Sequence, residues 1–137
     1  MNKKFFRFQF PWLFLMALIF IQSSIGSLKI PDIEFDLADK TAHFILFGCL
    51  GILTARGLKN SQNIRIKKNY VFLAIFICVI YGASDEVHQY FVPGRHASWG
   101  DWIADTLGVI TFVYIYKWYS NYQSLKKKKL SENGTMI

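Results

Sequence analysis

Near the middle of the chain, Asp85-Glu86-Val87-His88-Gln89 packs two carboxylates, an imidazole and an amide into one short stretch. In a helix, about 100° per residue puts Asp85, Glu86 and Gln89 within about a third of the circumference, with His88 to one side. Asp39, Lys40 and His43 form a second group, and a spacing of four sets Asp39 and His43 on one helical face. Arg95 and His96 precede a third group, Asp101 and Asp105, again four apart. These residue types have definite uses. Paired carboxylates act as acid and base when their surroundings separate their pKa values. A neighbouring histidine passes protons, and arginine is the better bidentate partner for phosphate or carboxylate. Glu86, Asp101 and His43 are therefore the candidate catalytic groups. Lys40, Asp85, Gln89, Arg95 and Asp105 are the candidate binding groups.

Each group also has a plainer reading. Lys40 and Arg95 can serve as counter-charges for Asp101, Asp105 or Glu86, and for Arg95 with Asp101 that reading weighs as much as substrate binding. Glu86 and Gln89 are harder to explain as structural, since nothing in a bundle needs both on one helix. His88 and His96 suit contacts to headgroups or loop carbonyls, and Asp32, Glu34 and Asp36 suit a solvated loop. Cys49 and Cys78 sit in apolar runs without paired spacing and read as small hydrophobes in helix packing. A metal site drawn from His43, Asp85, Glu86 and Asp105 has no His-x-x-x-His or Cys-x-x-Cys spacing behind it, so neither a metal nor another cofactor is expected. No glycine-rich phosphate loop, nucleophile elbow or zincin motif is present.

The elements that must position these groups are apolar. Of 137 residues, 53% are hydrophobic and 18% aromatic, and mean hydropathy is +0.23, more apolar than a soluble domain of this length needs. Four stretches stand out: Pro11 to Ile25, Thr41 to Gly57, Tyr70 to Phe91 and Trp102 to Tyr119. Crossing a hydrocarbon core of about 30 Å takes about 20 helical residues. The uninterrupted part of the third stretch, Tyr70 to Ser84, covers only about 22 Å. A spanning helix must therefore carry Asp85, Glu86, His88 and Gln89 to membrane depth, where ionisable groups are costly and mark functional sites by default. The same reasoning takes His43 and Asp105 into the second and fourth spans.

Charge sets the orientation. The net charge is +7, but the basic clusters flank apolar runs and are not interleaved with groove-reading residues, so the partner is a lipid bilayer and not nucleic acid. Thirteen of the 16 basic residues lie before the first stretch, between the second and third, or after the fourth. The opposite side holds Asp32, Glu34, Asp36 and Asp39, with Lys29, Lys40 and Arg95 as its cations. The positive-inside rule then puts both termini in the cytoplasm. The expected fold is an all-α integral membrane bundle of four transmembrane helices, over about residues 8–26, 40–58, 70–91 and 101–119. These make one domain over 1–119, followed by a basic, disordered cytoplasmic tail over 120–137. Tyr114, Tyr116, Trp118 and Tyr119 fit an aromatic belt at the inner end of the fourth span. A signal-peptide reading of the first stretch is weaker, since the charge pattern holds with the segment retained.

These residues resemble the VanZ-like family of small membrane proteins, named for a teicoplanin-resistance protein. The likeness is carried by Asp39-Lys40-x-x-His43-x-x-x-Phe47-x-x-Leu50. It continues in Asp85-Glu86-x-x-Gln89-x-Phe91-x-Pro93-Gly94-Arg95-x-x-Ser98-x-x-Asp101-x-x-x-Asp105-x-x-Gly108. The Gln22-Ser23-Ser24 step is similar too, so the resemblance runs from about residue 10 to 118. It adds Ser98 to the binding candidates. Where many relatives carry asparagine this chain has Asp105, an added charge. The founding protein is associated with resistance to glycopeptides, which act on lipid-linked wall precursors outside the cytoplasmic membrane. The resemblance thus implies an outward-facing site in a multi-pass protein of the bacterial cytoplasmic membrane. That site would bind or modify a cell-envelope component such as a lipid-linked wall precursor, and lower teicoplanin sensitivity. Two further readings are a membrane hydrolase or transferase acting on a lipid-linked phosphate or glycan, and a structural bundle without catalysis.

Overall fold

Pro11 shapes the amino-terminal helix. In the computed structural model, which describes residues 3–26, 33–95 and 97–134 (backbone alone at 33–36 and 133–134), Lys3–Phe8 forms α1 and Phe10–Ser23 forms α2. Pro11 has no N–H to offer the Arg7 carbonyl, which interrupts the hydrogen-bond ladder there. Gln9 nevertheless stays in the α conformation, and its N–H reaches Phe5 O at 2.8 Å. The unbroken α2 is 14 residues long, shorter than the helix expected over 8–26.

Ile33–Lys59 forms α3, Ile64–Lys68 forms α4, Tyr70–Phe91 forms α5 and Trp99–Gly134 forms α6. The described residues contain no strand. Asn63 starts α4 by accepting from Arg65 N at 2.9 Å and Ile66 N at 3.4 Å, which satisfies two first-turn donors. Two helical segments, Leu37–Lys59 and Tyr70–Phe91, are long and apolar enough to cross a membrane. α6 does not stop near residue 119 but continues through the lysine run to Gly134, where a disordered tail was expected. Leucine, lysine and glutamine are good helix formers, and Lys128 lies 3.9 Å from Glu132 one turn on.

The helix α3 is the centre of the bundle. It packs along α6 and α5, and α2 leans on both α3 and α5. The core joins Phe47, Leu50, Ala55 and Leu58 of α3 to Ala74 and Cys78 of α5, Val109 and Val113 of α6, and Ile19 of α2. Cys78 is buried and donates to Thr54 Oγ1 at 3.5 Å, whereas Cys49 is exposed. Much of the surface along the helices is apolar too: Phe14, Leu18, Phe72, Phe76, Ile80, Ile103 and Leu107 all face outward. Large apolar surfaces of this kind need a covering, and together with the two long apolar helices they point to a membrane protein.

Polar pins hold the helices in register within this apolar frame. Trp102 Nε1 donates to Val79 O at 3.2 Å, tying α6 to α5, and Tyr81 OH donates to Met16 O at 2.6 Å, tying α5 to α2. Lys59 Nζ donates to Ser120 Oγ at the far end. Gly108 lets α6 touch α3: a Cβ there would overlap the Phe44 carbonyl oxygen and lie 3.0 Å from Phe44 Cα. This contact lies one turn from Asp105, so it sets the distance across which Asp105 meets α3.

Candidate functional site

The helical face formed by Asp85, Glu86 and Gln89 turns inward. These three residues are 4%, 8% and 3% exposed, although they lie near the carboxyl end of an otherwise apolar helix. Burial at this end demands partners, and they are local. Gln89 Nε2 donates to Asp85 Oδ2 at 2.9 Å. Glu86 Oε2 accepts from Ser98 N at 2.7 Å, so a carboxylate of α5 holds the backbone just ahead of α6. That contact also sits at the positive end of the α6 dipole, where an anion is favoured. Asp101, in the first turn of α6, gains from the same field.

Facing them, α3 and α6 contribute a second layer. His43 Nδ1 and Asp105 Oδ1 are 3.0 Å apart, with the side chains 14% and 1% exposed. Lys40 Nζ lies 3.9 Å from Asp101 Oδ1. The lysine, and not Arg95, is thus the cation beside Asp101, because Asp101 lies on the α6 face that meets Lys40 of α3. Arg95 is aimed elsewhere by the turn before it. Arg95 N bonds Val92 O at 3.1 Å around Pro93-Gly94, and Gly94 has φ 79°, as the third position of a type II turn requires. The turn directs the guanidinium into a small cavity of about 40 Å³, shared with Gln22, Asp39, His43, Asp85 and Gln89. Its Nε is buried without a hydrogen-bond partner among the described residues.

All nine residues singled out in the sequence therefore lie at one end of the bundle, supplied by α3, α5, α6 and the loop between the last two. Asp85, Gln89, Arg95, His43 and Asp39 share the small cavity, while Glu86 and Ser98 are joined beside it. His88 is set apart: its Nε2 lies 2.9 Å from Ser24 Oγ and its ring stacks on Phe20 at 4.6 Å, so it clasps α2 to α5. His96 and Asp32 lie outside the described residues, as do the side chains of Glu34 and Asp36. Two overlapping trios, Asp39-His43-Asp101 and His43-Glu86-Asp105, each bring their donor atoms within 4.8 Å of one another, close enough to hold a cation.

One feature was not foreseen. A cavity of about 460 Å³ opens beside the cluster, between the end of α5 and the start of α6. Its walls are Ala83, Val87, Tyr90 and Phe91 on one side and Ala97, Ser98, Trp99 and Trp102 on the other. Among the described residues, Glu86 is the only charged one lining it. The aromatic residues bracketing the loop between α5 and α6 were the available signal, but at helix ends they read simply as interfacial anchors.

The VanZ/LLP1 family model matches residues 3–120, which includes every residue of the cluster. No curated protein and no solved structure matches the chain.

Proposed function

The chain belongs to the VanZ/LLP1 family, and from that premise we propose that it is a four-span protein of the bacterial cytoplasmic membrane whose outer-leaflet cluster binds an amphiphilic component of the cell envelope. The position of Glu86 carries this reading: it lines the apolar cavity and belongs to the polar cluster at the same time. A polar head and an apolar body can thus be held side by side. Arg95, whose buried Nε has no hydrogen-bond partner among the described residues, and Gln89 receive a phosphate or carboxylate. Trp99, Trp102 and Phe91 flank the apolar part.

Orientation rests on charge. Thirteen of the 16 basic residues lie on the side away from the cluster, so both termini are cytoplasmic and the cluster faces out. A lipid-linked wall precursor is the occupant that suits this position, and its sequestration or modification would lower teicoplanin sensitivity. The His43–Asp105 pair favours a second, catalytic reading, hydrolysis or transfer on a lipid-linked phosphate or glycan, because a carboxylate that orients an imidazole prepares it as a general base.

The test is a set of single substitutions, Glu86→Gln, Gln89→Ala, Arg95→Gln and Asp101→Asn, each scored for membrane abundance and then for glycopeptide sensitivity. Preserved abundance with a lost phenotype supports the site. A phenotype that tracks abundance alone makes these residues structural. An impermeant thiol reagent on Arg95→Cys, in a background lacking Cys49, checks the orientation: labelling of intact cells supports it, and labelling only after permeabilisation refutes it.

A further inference from the structure

The polar cluster carries more negative charge than its own cations balance. Among the described residues, Asp39, Asp85, Glu86, Asp101 and Asp105 gather around Lys40 and Arg95, an excess of three negative charges when His43 is neutral. Asp101 has Lys40 beside it. Deeper in the bundle, Asp105 is 1% exposed and Glu86 8% exposed. Each keeps one buried oxygen, Asp105 Oδ2 and Glu86 Oε1, that accepts no hydrogen bond from the described residues. A carboxylate so placed is stable only with a proton, an opposite charge or a metal ion.

The geometry suits an ion. His43, Glu86 and Asp105, offering one donor atom each, lie within 4.8 Å of one another and come from three different helices. His43 Nδ1 and Asp105 Oδ1 are 3.0 Å apart. That is a hydrogen-bond distance, and it is also the separation of neighbouring ligands around an octahedral ion bonded at about 2.1 Å. Imidazole nitrogen beside two carboxylates suits Mn²⁺ or Zn²⁺ better than the all-oxygen cations Mg²⁺ and Ca²⁺. We propose that His43, Glu86 and Asp105 bind one divalent transition ion, Mn²⁺ or Zn²⁺, where α3, α5 and α6 meet.

The ion takes the place of the hydrogen bond between His43 and Asp105, the neutral imidazole keeping its one proton on the ring nitrogen that does not face the ion. The ion's two positive charges offset two of the three surplus negative ones. The alternative trio, Asp39-His43-Asp101, competes for the same histidine and has Lys40 already beside Asp101. The cavity of about 40 Å³ that His43 helps to wall is large enough for a water on the ion's open side.

The inference stands apart from the amphiphile reading, and its test keeps the two separate. Full-length protein purified in detergent without chelators is titrated with Mn²⁺, followed by electron paramagnetic resonance, and with Zn²⁺, followed by dialysis and elemental analysis. Saturable uptake of roughly one ion per chain is expected, with a raised unfolding temperature. Both effects disappear in Asp105→Asn and weaken on the order of tenfold or more in Glu86→Gln. His88→Ala keeps both, which excludes uptake at that half-buried imidazole, and Trp99→Ala keeps both because the apolar cavity plays no part. If Asp105→Asn fails to reach the membrane, Glu86→Gln decides in its place. Absence of saturable binding to the unaltered protein, or wild-type affinity in the carboxylate variants, overturns the proposal and leaves the apolar cavity untouched.

Discussion

Gly108→Ala isolates what holds the cluster together, because the substituted position touches no member of it. Alanine is the better helix former, which favours the variant by about 1 kcal/mol. Against this, the added Cβ falls on the Phe44 carbonyl oxygen and 3.0 Å from Phe44 Cα. Those atoms are backbone and cannot swing away, so α6 must move off α3 by about an ångström to regain ordinary contact. Overpacking of this kind costs about 1–3 kcal/mol. The same displacement stretches the 3.0 Å contact between His43 and Asp105 one turn away, and losing a charged hydrogen bond costs a further 1.5–3 kcal/mol or about that. The net expectation is a loss of about 2 kcal/mol or more, with a lower unfolding temperature in detergent. Gly51→Ala is the control. Its Cβ meets a Val113 methyl at 3.0 Å and Val109 O at 3.3 Å, distances that small adjustments relieve. Equal unfolding temperatures for Gly108→Ala and the parent protein would refute the close-contact argument.

Other substitutions probe single contacts. Glu86→Gln keeps an acceptor for Ser98 N and should leave abundance near normal, whereas Glu86→Ala strands that N–H and should cost about 1–3 kcal/mol in thermal unfolding; equal stability of the two would remove the carboxylate's anchoring role. Gly94→Ala forces a side chain onto φ 79° and should cost about 1 kcal/mol while shifting Arg95, so its phenotype should resemble that of Arg95→Gln. Trp102→Phe gives up the bond to Val79 O but keeps most of the apolar wall; a fall of about 1 kcal/mol in stability is expected, and a loss well above that would mean the indole does more than pin α6.

Part of the architecture was legible because apolar length and helical period are strong signals. The helix over Tyr70–Phe91 could be read from its length argument, and the inward turn of Asp85, Glu86 and Gln89 from the helical period. The pairing within the cluster was not legible. Whether Lys40 or Arg95 stands beside Asp101 depends on how α6 is rotated against α3 and on the φ of Gly94, and neither is written in local sequence. The interruption near Gln9 could have been read from Pro11. The helical run to Gly134 was hidden because a lysine-rich, polar segment suits a solvated helix and a disordered tail equally. The apolar cavity escaped because its walls come from both sides of a turn, and only their juxtaposition makes a site.

The direct test of the central claim is photo-crosslinking from the cavity wall. A photoreactive amino acid placed at Trp99, which is 81% exposed at the cavity mouth, is irradiated in intact cells and the adducts are identified by mass spectrometry. A phosphate- or carboxylate-bearing envelope amphiphile is expected on the unaltered background, and it should be lost from Arg95→Gln at equal abundance. Adducts of bulk phospholipid alone, the same with and without Arg95, would contradict the account.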